Sequence, residues 1–198
     1  MVLESYRFKF REIFKPIANK IGKIGITPNI ISGLSFLLAL ISGILFFFGY
    51  LLQPALMLAL SGLADSIDGI VARELDVSSK PGDFIDHTLD RFSDTSILLG
   101  IIYSGNVSVI WGILALIGVL ITGYIGSQSE AVGMERVYKG IFGRADIMAI
   151  LFFFSVLSFF MAPTMSENLY ILEIGVIILA VGCNLTSIQR IAIIWKKF

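Results

Sequence analysis

Six stretches of this chain, at about 30–49, 51–73, 84–103, 107–128, 145–163 and 169–194, are each apolar over roughly the 20 residues that a helix needs to cross a hydrocarbon layer. Lipid offers no partner for backbone N–H and C=O groups, so runs of this length are driven to helix. The sequence therefore predicts an all-α fold: an integral membrane bundle of six transmembrane helices, with an amphipathic interfacial helix ahead of it. A mean hydropathy of +0.87, with 56% hydrophobic and 15% charged residues in 198, excludes an ordinary soluble domain. Thr27-Pro28-Asn29 opens the first span with an N-cap candidate and a proline at an early helical position. Short polar turns are expected at Gly49-Tyr50, Ser104 to Asn106 and Pro163 to Asn168. The expected organisation is a juxtamembrane segment over 1–29 and one helical domain over 30–198, with no cleavable signal and no repeat. The single Cys183 leaves neither a disulfide framework nor a thiolate zinc site.

Charge placement orients the bundle. All 15 lysines and arginines fall in the amino-terminal segment, the loops after the second and fourth helices, the helix ends facing those loops, or the carboxyl end. By the positive-inside rule, both termini face the cytoplasm of a cell membrane. In the first 23 residues Arg7, Lys9, Arg11, Lys15, Lys20 and Lys23 alternate with Tyr6, Phe8, Phe10, Ile13, Phe14, Ile17 and Ile21. That mixture suits a helix lying among lipid headgroups.

Against this apolar background stand Asp65, Asp68, Asp86 and Asp90, at the cytoplasmic ends of the second and third helices. A charge at bilayer depth costs roughly 2.5–3.5 kcal/mol, so four without compensation would cost on the order of 10 kcal/mol. Asp65, Asp68, Gly69 and Ala72 share one helical face, and Gly82, Asp86 and Asp90 repeat at every fourth residue, with Asp94 one turn deeper. Two carboxylate stripes on consecutive antiparallel helices can converge into an oxygen-rich pocket. Hard oxygen donors favour magnesium, manganese or calcium over zinc or copper. Four carboxylates suit two such ions about 3.5–4 Å apart, a clamp for phosphoryl chemistry. Gly69 and Ala72 keep the face free of bulk, and Arg73 can fork onto phosphate oxygens. His87, inside the same stretch, and the phenylalanine runs at 46–48 and 152–154 read as structural.

The run from Asp65 to Asp90 resembles the signature of the CDP-alcohol phosphotransferase family, D-x-x-D-G-x-x-A-R-x8-G-x3-D-x3-D, at every fixed position. The resemblance implies that Asp65, Asp68, Asp86 and Asp90 hold two divalent cations, Mg2+ or Mn2+. It implies that Asp65, Asp68, Gly69, Ala72, Arg73 and Gly82 border the diphosphate and cytidine of a CDP-linked lipid, CDP-diacylglycerol or CDP-archaeol. It further implies that Asp90 doubles as the catalytic base, taking the proton of a small polar alcohol that attacks the lipid-proximal phosphorus and expels CMP. Family members are commonly homodimers in the lipid bilayer; nucleic acid is not an expected partner.

A phosphorylated acceptor such as inositol phosphate or glycerol phosphate needs fixed cations, and Arg136, Lys139, Arg144 and Arg190 are available near the same face. Inositol-phosphate-using relatives usually end the fourth helix with Tyr-x-basic-Ala-Arg-Ala-Glu. Here the segment is Tyr124-Ile-Gly126-Ser-Gln128-Ser-Glu130, without either cation. Two rival functions fit the composition. A divalent-cation transporter or channel would need polar residues continuing to the far side, where Leu37 to Phe48 and Leu151 to Phe160 offer almost none. An intramembrane prenyltransferase would resemble a longer bundle with two separated aspartate motifs.

Overall fold

Pairwise packing of six long helices closes a ring in a computed structural model that describes residues 12, 14–18, 20–21, 24–77, 79–161 and 171–198. The helices are α1 (Pro28–Phe47), α2 (Leu52–Glu74), α3 (Lys80–Tyr103), α4 (Val109–Ala131), α5 (Arg144–Met161) and α6 (Ile171–Trp195). Packed neighbours run α1, α2, α5, α6, α4, α3 and back to α1, the heaviest contacts being α4 with α6 and α1 with α2 and α3. The described residues contain no strand. Of the residues expected in the amino-terminal helix, Tyr6 to Arg11, Ile13 and Lys23 lie outside the described residues, as does the turn expected over Pro163 to Asn168.

Local chemistry sets the ends of these helices. Pro28 occupies the first turn of α1, where its missing N–H costs nothing. Beyond α2 the chain turns at Asp76, whose φ of 53° is left-handed. Ser79 then caps α3 by accepting from the Gly82 N–H at 3.2 Å, and Asp83 in the first turn faces the positive end of the helix dipole. At the start of α5 the Asp146 carboxylate accepts from the Gly143 N–H at 2.9 Å.

All helices except α3 are long and apolar enough to cross a membrane. The chain is a multi-pass membrane protein. α3 misses that measure because Lys80, Asp83, Asp86, Asp90, Arg91 and Asp94 crowd its first four turns, whereas its second half, with Ile97, Leu98 and Ile101 fully buried, joins the apolar core. Water gives little drive for helices to associate inside lipid, so close approach and hydroxyl bonds take over. A Cβ on Gly100 would overlap the Gly43 carbonyl, so α1 and α3 touch backbone to backbone. Ser35 and Ser61 each donate to the other's carbonyl at 2.9 Å across α1 and α2. Ser155 of α5 donates to the Leu51 carbonyl at 2.7 Å. Among residues 12–21, Phe14, Ala18 and Ile21 pack with Ile70 and Val71 at the end of α2, and Lys15 pairs with Glu74 at 3.1 Å.

Candidate active site

One end of the ring is polar, and α2 and α3 build its first wall. Asp68, one turn beyond Asp65, is 5% exposed and accepts a 2.7 Å hydrogen bond from Ser32 of α1. Carboxylate oxygens of Asp65, Asp68 and Asp86 lie within 4.8 Å of one another, and so do single ligand atoms of Asp86, His87 and Asp90. Beside them opens a cavity of about 420 Å³, lined by Asp68, Gly69, Ala72, Gly82 and Asp86 together with Thr27 to Asn29 and Ser32 from the head of α1. Gly82 lines it, and a Cβ there would press on Ser79 Oγ at 3.1 Å. Arg73 reaches back along α2, so that its Nη2 would sit 3.5 Å from a Cβ on Gly69.

The second wall is cationic and comes from α3 to α6. Arg144, first residue of α5, contacts Asp65 through Nη1, lies 2.5 Å from Asp90 Oδ1, and points Nε at Asp94 Oδ1 at 3.5 Å. It thus ties α5 to both carboxylate helices. Arg91 supports the same cluster, 3.2 Å from Asp94 and 3.9 Å from Asp90, with its guanidinium packed on the bare backbone of Gly123. Arg190 of α6 is 5% exposed and donates to the carbonyls of Thr122, Lys139 and Tyr138. Arg136 contacts His87 Nε2 and lies 3.9 Å from Glu130. The Lys139 side chain is exposed, and its carbonyl accepts from Arg190.

The sequence-predicted aspartates therefore converge, Gly69, Ala72 and Gly82 line one cavity, and Arg144 meets the aspartates directly. Arg136 and Arg190 stand together farther along, over α4. Sequence reasoning did not single out Ser32, Asn29, Ser79 or Arg91. Only Arg91 carried a visible signal, lying one residue after Asp90 and three before Asp94 on the acidic stripe. His87, read as structural, contacts Arg136. Asp94 is buried and paired with Arg91 and Arg144, in keeping with a supporting carboxylate.

Chemically, the first wall is a set of oxygens held close at the rim of an open cavity. Three carboxylates within one ion's reach repel strongly unless a cation sits among them, and Arg144 shows that a positive group fits against two of the four motif aspartates. The donor set suits a hard divalent ion. The cavity beside it can take a polar, phosphate-bearing group against bare backbone.

Residues 25–188 match the family model for CDP-alcohol phosphatidyltransferase. The archaetidylinositol phosphate synthase of Methanothermobacter thermautotrophicus is 31% identical over 99% of this chain and 95% of its own length. That of Pyrococcus horikoshii is 32% identical over 96% and 95%. The crystal structure of Mycobacterium tuberculosis phosphatidylinositol phosphate synthase with CDP-DAG bound superposes with a TM-score of 0.80 at 27% identity, covering 93% of this chain and 94% of that one. The same enzyme in complex with manganese and citrate gives 0.79 at 26%, covering 91% and 88%. This chain belongs to the CDP-alcohol phosphatidyltransferase family and is a membrane-embedded transferase of phospholipid synthesis.

Proposed function

We propose that the protein transfers a phosphatidyl or archaetidyl group from a CDP-linked lipid to inositol phosphate, with glycerol phosphate the alternative acceptor, and releases CMP. The observation that carries this reading is the close set of Asp65, Asp68 and Asp86 oxygens at the rim of a cavity floored by Gly69, Ala72 and Gly82. Asp65, Asp68, Asp86 and Asp90 would hold two divalent cations, magnesium or manganese. Such ions neutralise a diphosphate and stabilise the entering and leaving oxygens of an in-line displacement.

The chain's own residues do the rest. Gly69, Ala72 and Gly82 let the nucleotide approach the backbone, and Arg73, folded over Gly69, offers a planar fork to a phosphate oxygen. Ser32 fixes the rotamer of Asp68. Asp90 takes the proton of the acceptor hydroxyl as that oxygen bonds to the lipid-proximal phosphorus, and the bond to the CMP oxygen breaks. Arg144, Arg136, Lys139 and Arg190 supply positive charge for the acceptor phosphate. The names of the two archaeal relatives, both archaetidylinositol phosphate synthases, favour the inositol-phosphate acceptor.

All six helices cross the bilayer in this reading, α3 with its charged half turned into the ring. Residues 1–29 form an interfacial helix, both termini and the site face the cytoplasm, and residues 30–198 act as one domain within a homodimer. Belonging to this family sets aside the transporter and prenyltransferase readings.

The test is CMP release by purified protein given CDP-diacylglycerol or CDP-archaeol and inositol phosphate. Release is expected with magnesium or manganese and is lost on chelation. Equal release in excess chelator would refute the metal-held donor site, and absence of release with every alcohol phosphate would refute the transfer.

A further inference from the structure

Asp90 and Asp94 stand one turn apart on α3, a spacing at which like charges repel, and two arginines bridge them through different oxygens. Arg144 lies 2.5 Å from Asp90 Oδ1 and 3.5 Å from Asp94 Oδ1. Arg91 lies 3.9 Å from Asp90 Oδ2 and 3.2 Å from Asp94 Oδ2. The four groups close a ring of alternating charge around the carboxylate assigned above as base. Asp94 is its buried member. Its Oδ2 accepts no hydrogen bond among the described residues, so the nearby Arg91 guanidinium is what balances its charge.

The two arginines act on Asp90 differently. Arg144 sits at bonding distance from Oδ1, whereas 3.9 Å is beyond hydrogen-bond reach, so Arg91 holds Oδ2 by charge and leaves its lone pairs open. An oxygen that is to take a proton needs that freedom. The place of Arg91 is set in turn from α4. A Cβ on Gly123 would overlap Arg91 Nη1 and lie 3.1 Å from Nη2, so the guanidinium rests on bare backbone there. Gly123 and Asp94 are thus two fixed points that end the reach of this side chain from α3.

Resting on the transfer reading above, we propose that Arg91, seated on Gly123 and tied to Asp94, is the positioning residue that fixes the Asp90 carboxylate for proton abstraction. It acts through Asp90 and holds neither lipid nor acceptor. Its removal therefore slows transfer and leaves the binding of both substrates as it was.

Steady-state kinetics with CDP-diacylglycerol and inositol phosphate in manganese test this from α4 as well as from α3. Gly123→Ala is mild for the fold, because the atoms its Cβ meets are the far end of a flexible side chain, yet it displaces the Arg91 guanidinium. It is expected to lower kcat about tenfold, with both KM values within about twofold. Arg91→Ala should cost about the same, and adding Gly123→Ala to it should cost nothing more, because the group to be displaced is gone. Arg91→Lys, which keeps a slimmer cation near Asp94, should restore most of kcat in the Gly123→Ala background. Manganese affinity, read from the paramagnetic resonance of the free ion, should stay within about twofold in each variant, since Arg91 orients the base without supporting the metal ligands. Arg91→Gln carries the measurement if the alanine variant does not elute as folded protein. An unchanged kcat, a change confined to acceptor KM, a manganese affinity that falls with kcat, or a Gly123→Ala effect that persists without Arg91 overturns the assignment. Wild-type protein that releases no CMP with any alcohol phosphate overturns the transfer reading instead.

Discussion

The two walls of the polar end are assembled in opposite ways. The carboxylate wall comes from 26 consecutive residues on two helices joined by a short turn, so its geometry follows from helical spacing. The cationic wall gathers Arg91 from α3, Arg136 from a loop, Arg144 from the head of α5 and Arg190 from deep in α6, which only tertiary packing brings together. A locally encoded wall suits chemistry shared by every substrate pair. A wall scattered over four segments can change one cation at a time, and it is the place to look for acceptor choice.

That contrast can be broken most severely at Asp90. Asp90→Asn is expected to lower kcat by about 10²- to 10⁴-fold, the usual worth of a general base, whichever alcohol is supplied. Single-turnover CMP release measures it. A variant that turns over normally would remove Asp90 from the chemistry and blur the division between the walls.

Arg144 is where the walls meet, and its removal sharpens the comparison. Arg144→Ala leaves Asp65, Asp90 and Asp94 facing one another, and the loss of a partly buried charge partner costs on the order of 3 kcal/mol. Melting in detergent should show a lower Tm without divalent ions, largely recovered by manganese, which supplies the missing positive charge. A Tm that manganese fails to raise would mean that the carboxylates do not share a cation site. The smallest effect is expected at Ser32, which touches only the first wall. Ser32→Ala removes one hydrogen bond to a buried carboxylate, worth about 1.5–3 kcal/mol at most, and should weaken metal activation about tenfold with acceptor KM unchanged. A manganese titration of activity reads this directly, and a shift confined to acceptor KM would contradict it.

Legibility in the sequence follows the same division. Asp65, Asp68, Gly69, Ala72, Gly82 and Asp86 could be placed on one surface from spacing alone, because a helix repeats its faces and the connecting turn is only a few residues long. Six spans were expected, and five satisfy length and apolar content, while α3 does so only in its second half, because its first four turns spend their positions on charge. Ser32 and Asn29 could not be foreseen, because nothing local marks which face of α1 meets Asp68. Gly126 read as a lost cation; the folded chain instead uses the freed volume to admit Arg136 and Arg190. Lys139 was expected among the acceptor-phosphate cations; its side chain is exposed, and its main-chain oxygen is one of three carbonyls that anchor Arg190.

The order of helices around the ring has a consequence for how the molecule comes into being. α2, α1 and α3 form one arc, α5, α6 and α4 the other, and two main seams, α3 against α4 and α2 against α5, join them, with Arg144 of α5 also reaching α3. The first three helices to leave the ribosome already contain every motif aspartate, so the half that carries the carboxylates can assemble before the half that carries Arg136, Arg144 and Arg190 is synthesised. The enzyme is a clasp whose earlier-made jaw carries the cavity and the aspartates, and whose later-made jaw brings Arg144 against Asp65 and Asp90.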